Sequence, residues 1–271
     1  MKGGSDVDSN DYFCKIPKHY INDNTASAEI LVFRCLSYLN VPRQNRALVS
    51  VDDIISLSGY SLTYDGRTRI LNKDFIISVL KNFVQDGKIE LLNCSDFVNV
   101  VHNTQMAFRL NPNVFNPSDQ YVVLNDSEWD KIVLIKSRIP KYELLRVFLY
   151  LKSFMASNTE IITKQVCACY RGVDKIAQDL NMTRKHLDKI IGQLIKCGLI
   201  IKHEVGSYFS KAHKKIQNAP NVYVLASDKN VKQHIQDGIN RLQYNLGVSE
   251  FMPIVHKGKK IKKTWAHGIT R

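Results

Sequence analysis

Between Val173 and Leu225 the chain spells out a helix, a short break, a second helix and a long hairpin, and few folds accommodate that series. Val173–Leu180 is a brief amphipathic segment closed by Asn181 and Met182. Thr183 follows in N-cap position, its hydroxyl able to accept from an orphan amide of the next turn. Apolar residues then recur at Leu187, Ile190, Ile191, Leu194 and Ile195, a spacing that buries one stripe of an α-helix. Gly198 ends the helix, being tolerant of positive φ. Leu199–Ile201 and Val222–Leu225 predict two strands separated by a polar, Lys-rich loop.

At about 100° per residue, the side of the second helix away from its stripe carries Lys185, Lys189, Gly192, Gln193 and Lys196. Thr183, Arg184 and His186 occupy its start, and Asp188 is the single acid nearby. Such a face suits a polyanion, and an amide such as Gln193 can hydrogen-bond a base edge; the plainer alternative is a solvated helix face. The loop between the strands holds Tyr208, Phe209, Lys211, His213, Lys214 and Lys215. Lysines interleaved with aromatics suit contact with a phosphate backbone or a narrow groove.

Charge separates the chain into unlike parts. Residues 1–130 hold 12 Lys/Arg against 16 Asp/Glu, residues 131–226 hold 17 against 6, and residues 227–271 hold 9 against 3. The net charge of +13 therefore sits in the second half, where it predicts salt-sensitive attraction to phosphate. No apolar run approaches the roughly 20 residues of a membrane span, so a soluble, cytoplasmic protein is expected, without a membrane partner. The six cysteines, Cys14, Cys35, Cys94, Cys167, Cys169 and Cys197, follow no disulfide or zinc spacing. No phosphate loop, deaminase motif or other catalytic constellation appears, so neither an enzyme, a cofactor nor a small-molecule ligand is expected.

At 271 residues the chain has room for two domains, and it repeats itself. Residues 75–89 lie over 186–200 at a constant offset of 111: Ile76, Val79, Leu80, Phe83, Val84 and Gly87 match Leu187, Ile190, Ile191, Leu194, Ile195 and Gly198. Ala28–Leu31 resembles Tyr142–Leu145, each heading a helix, and Tyr12–Ile16 and Tyr121–Leu124 are matching leading strands. The expected organisation is one unit over 11–111, a linker over 112–119 rich in Asn and Pro, a second unit over 120–227, a helix over 228–247 and a basic tail over 248–271. A helix around Trp129, Ile132 and Val133 should dock on the second unit. In the first unit Lys73, Asp74, Ser78, Asn82 and Gln85 replace the outward cations of the second. Phe75 and Ile77 flank the core stripe there, and fit either a self-association patch or packing within the domain.

The run from Asp174 to Arg184 resembles the helix-turn-recognition-helix segment of bacterial winged-helix DNA-binding domains. The resemblance implies an α+β, mainly helical fold: two winged helix-turn-helix domains in tandem, with a C-terminal helix and basic tail. Phe13–Lys18, two such units and a basic end together look like the replication initiators of bacterial plasmids and phages. The partner implied is double-stranded DNA, with a homodimer possible. The expected contacts are Thr183, Arg184, Lys185, His186, Lys189, Gln193 and Lys196 on the helix, and Tyr208, Lys211, Lys214 and Lys215 on the hairpin. Secondary contacts fall at Arg67, Arg69, Lys73 and Asn82, and at Lys259, Lys260, Lys262 and Lys263 in the tail. A transcriptional regulator binding an operator as a dimer, and a replisome adaptor holding DNA loosely, remain the alternatives.

Overall fold

The computed structural model describes residues 13–22, 28–41, 43–60, 73–93, 96–118, 120–155 and 167–253. They form an α+β protein of helices and small antiparallel sheets. The first half opens with β1 (Phe13–Pro17), α1 (His19–Asn22) and α2 (Glu29–Tyr38), then β2 (Arg46–Val49) and α3 (Val51–Leu57). Its α4 (Lys73–Gln85) leads into β3 (Ile89–Leu91) and β4 (Met106–Leu110), which join β2 in the order β2-β4-β3. Ser50 starts α3 through a capping box: its hydroxyl accepts from the Asp53 amide at 3.1 Å, while its own amide donates to the Asp53 carboxylate at 2.8 Å.

The second half runs through α5 (Pro112–Phe115), β5 (Tyr121–Asn125), α6 (Asp126–Val133), α7 (Lys141–Met155), α8 (Val173–Asp179) and α9 (Arg184–Lys196). There follow β6 (Ile200–His203), β7 (Ser207–Ser210), β8 (Lys215–Asn218), β9 (Val222–Leu225) and α10 (Val231–Leu246). The sequence repeat is a repeat of structure. Helices α4 and α9 begin and end at residues 111 apart, and Gly87 and Gly198 close them with φ of 66° and 68°. In the second half β9 lies between β6 and a single bridge from Cys169 to Tyr223, which reproduces the order β2-β4-β3 with a strand reduced to one pair.

Several expected boundaries take a different form. The two leading strands do not each serve their own unit: β1 and β5 pair antiparallel with each other, Lys15 opposite Val123. Pro112–Phe115 in the expected linker is a helical turn, capped by Asn111, whose Phe115 ring stacks on Phe33 at 4.4 Å. The Lys-rich loop contains a second hairpin, β7–β8, in which Ser207 pairs with Asn218 and Ser210 with Lys215. The start of the expected tail is also folded. After Gly247, the Met252 amide and carbonyl bond Ser207 at 2.8 and 2.7 Å, laying residues 251–253 beside β7. Phe75 and Ile77 pack on the core, Ile77 buried and Phe75 partly so, and they form no open patch.

One continuous core runs through both halves, and its seam is charged. Arg34 is buried, bonded to Asp126, with its guanidinium 5.4 Å from the Trp129 ring. Arg146, also buried, donates through Nε to the Ile21 carbonyl at 2.6 Å and so caps the short α1 from α7. Lys152 donates to Glu128 at 2.6 Å, and Lys141 Nζ bonds the carbonyls of Ile132, Val133 and Ile135 at the end of α6. Burial depresses the Lys141 ammonium below the ordinary lysine range, and three carbonyl acceptors are what make an interior cation tolerable. A smaller apolar cluster, with Val222, Val224 and Leu242 at its centre, seats α10 on the outer face of the second sheet. Among the described residues no helix is long and apolar enough to cross a membrane.

Candidate nucleic-acid interface

Leu187, Ile190, Ile191 and Leu194 are buried against the core, which fixes the rotation of α9. Thr183 caps its start, the hydroxyl accepting from the His186 amide at 3.3 Å. With the stripe inward, Lys185, Lys189, Gly192 and Lys196 fall along one outer ridge, and all three lysines are exposed. The ridge spans about 16 Å at 1.5 Å per residue. Gly192 lies in its middle with open space where a Cβ would stand, so a ligand surface meets backbone there. Gln193 is half-buried on the flank of the ridge.

Two expected contacts are already engaged. Arg184 is exposed but ion-paired to Asp174 of α8 at 3.1 Å, with Asp188 at 4.0 Å. His186 turns inward, its Nε2 2.6 Å from a Glu143 carboxylate oxygen on α7, and it pins α9 to α7 instead of lining the open ridge. The pairing follows from position: His186 borders the buried stripe at Leu187, on the side of α9 that faces the supporting helix α7.

The β7–β8 hairpin stands beside the start of α9 across a cleft of about 970 Å³ lined by Asp174, Arg184, Lys202, Glu204, Lys215 and Asn218, among others. Lys211, His213, Lys214 and Lys215 are exposed around its turn, where Lys214 adopts a φ of 50°. Tyr208 is half-buried, its hydroxyl 3.2 Å from Gln217 on the facing strand. Phe209 and Ile216 are cross-strand partners and both lie open. Lys202, at the rim of the cleft 2.8 Å from Glu204, and Ile216 were not singled out from the sequence. Their placement depends on the cross-strand register of β6 and β8, which neither short strand encodes by itself.

The matching surface of the first half differs. Its α4 ridge presents Asp74, Ser78, Lys81 and Gln85, a near-neutral row, with Asn82 exposed and Lys73 half-buried. The loop after β3 folds back on α3, where the Asp52 amide donates to the His102 carbonyl at 3.1 Å, and Arg109 is paired to Glu90. Arg67, Arg69, Lys259, Lys260, Lys262 and Lys263 lie outside the described residues. Among the described residues, exposed lysines with no ion pair gather on the α9 ridge and at the β7–β8 turn. Models of known protein families, characterised proteins and solved structures give no match to this chain.

Proposed function

We propose that the chain is a double-stranded DNA-binding protein built of two winged helix-turn-helix units, of which the second reads the duplex. On this reading α9 lies in the major groove, whose width of about 12 Å admits one helix. Lys185, Lys189 and Lys196 meet phosphates and base edges, Gln193 contacts a base, and the β7–β8 wing grips the adjacent backbone. The observation that carries it is the ridge of three exposed lysines, with Asp188 the one acid beside it, next to a hairpin whose turn is exposed and basic. The first half, with its near-neutral α4 ridge, contributes weaker contacts or holds a protein partner.

Within that class, the finer reading is initiation of replication on a plasmid or phage by binding origin repeats. It rests on the likeness of Phe13–Lys18 and of the paired units to such initiators. Selection of bound duplexes from a random library by the full chain, followed by footprinting, tests both levels. Enrichment of direct repeats supports an initiator, and a palindrome transfers the assignment to an operator-binding regulator. Affinity equal for selected and random duplexes overturns sequence-directed binding and leaves a loosely held adaptor.

A further inference from the structure

The tip of the β7–β8 hairpin has an apolar pair that the fold does not use. Phe209 is 49% and Ile216 37% exposed, and they face each other directly across the two strands. Ser207, at the base of the hairpin beside Met252, is buried on the Phe209 face, while on the other face Tyr208 bonds Gln217 and Ser210 is buried. Lys211, His213, Lys214 and Lys215 surround the turn, and from Val205 to Ser227 the chain carries no acid. An exposed aromatic–aliphatic pair inside a cationic rim needs an occupant that is apolar and flat at its centre and anionic at its margins. A second copy of this tip would oppose like charges, and two side chains are too small an area for a stable protein contact. Stacked bases between two phosphate strands have that chemistry.

We infer that Phe209 and Ile216 form a wedge that enters the minor groove beside the site read by α9, partly unstacks a base step and bends the duplex. The inference rests on the reading of α9 as a duplex binder. Its physics is that of apolar wedges generally: the unstacking cost is offset by apolar contact and by the phosphates brought onto the flanking lysines. A pyrimidine–purine step, the easiest to open, is the expected position.

Both side chains are exposed, so replacing them leaves the core intact. The test uses the full chain and a duplex recovered by selection, with 2-aminopurine at the step under the hairpin and a dye pair at its ends. Expected are a rise in 2-aminopurine fluorescence and a shortened end-to-end distance on binding. Phe209→Ala should abolish both changes and weaken binding about tenfold, the scale of one lost aromatic–base contact. Phe209→Leu, which keeps an apolar wedge, should retain most of the distortion, and Ile216→Ala should lose part of it. If Phe209→Ala binds the duplex and bends it as the parent does, the wedge is overturned while the α9 reading stands. If Phe209→Ala instead dissociates an oligomer in sedimentation without altering distortion, the pair belongs to a protein interface and the inference fails. A parent chain that binds no duplex overturns both.

Discussion

Lys185 is exposed on the outer side of α9 and Gln193 is half-buried on its flank, both outside the buried stripe. Their replacement therefore tests recognition without disturbing packing. Lys185→Ala and Gln193→Ala should each weaken binding to a selected duplex by about 1–3 kcal/mol if the side chain reaches a base. Random duplex should lose less, and a titration comparing the two pools checks it; unchanged affinity for both removes these residues from the interface. The same helix shows the limit of reading residues singly. Periodicity places Lys185 correctly because its direction depends only on the helix, whereas His186 is claimed by Glu143, a residue 43 positions away on another helix. The cysteines make a second test at this scale. Burial pushes the Cys14 thiol up to about 12 and those of Cys35 and Cys169 to about 11, so almost none is thiolate at neutral pH. Alkylation of the native chain, followed by mass spectrometry, should modify Cys197 and Cys167 before those three, which stay unlabelled until unfolding. Early labelling of Cys14 would contradict its buried place on β1.

At the scale of elements, the chain between α10 and residue 254 has a definite seat. Met252 pairs with Ser207, and the backbone of Gly206 lies so close beneath it that a Cβ there would stand 2.3 Å from the Met252 carbonyl oxygen. Gly206 also holds a φ of 128°, which side-chain-bearing residues rarely adopt. The consequence is that Pro253, the last described residue before the lysines at 257, 259, 260, 262 and 263 in sequence, lies beside the base of the basic hairpin. Gly206→Ala should release that attachment. Binding to DNA should then show a shallower dependence on salt, approaching that of a chain ending at residue 254, and removing the tail from the variant should change little more. A variant with the parent's salt slope would show that the attachment does not direct the tail. Sequence reading found α8, α9, β6 and β9 here because each has an internal period or a clear stop. It missed the seat at Met252, which depends on a contact between residues 45 apart and on the absence of one methyl group. The short helix over Pro112–Phe115 was hidden for a similar reason: Asn and Pro suit loops and helix starts alike, and the stacking of Phe115 on Phe33 decides between them.

For the molecule as a whole, the repeat was legible in the matched stripes of α4 and α9, but the way its copies join was not. Two leading strands with the same pattern would suit two separate units equally well; their mutual pairing follows from the position of residue 121 after α5, which no local pattern encodes. That pairing, the buried Arg34 at Asp126, and Arg146 reaching back to α1 make each half incomplete without the other. Chains of this length commonly unfold domain by domain, so the shared core makes a distinguishing prediction. Urea unfolding followed by far-UV circular dichroism and by Trp129 fluorescence, in a Trp265→Phe background, should give one coincident transition. Arg34→Met should move that midpoint down without splitting it, because Arg34 is 2% exposed and its loss removes a buried cationic partner of the Asp126 carboxylate at the seam. The cost should fall below the roughly 3–5 kcal/mol of breaking a fully buried pair, since Asp126 keeps 25% exposure and can recover some hydration. A fragment beginning at residue 120 should unfold at lower urea than the whole chain or fail to fold, because Val122 and Leu124 lose the strand that covers them. Two separated transitions in the intact chain, or a fragment as stable as the parent, would show that the halves fold independently and that β1–β5 is only a contact between finished domains.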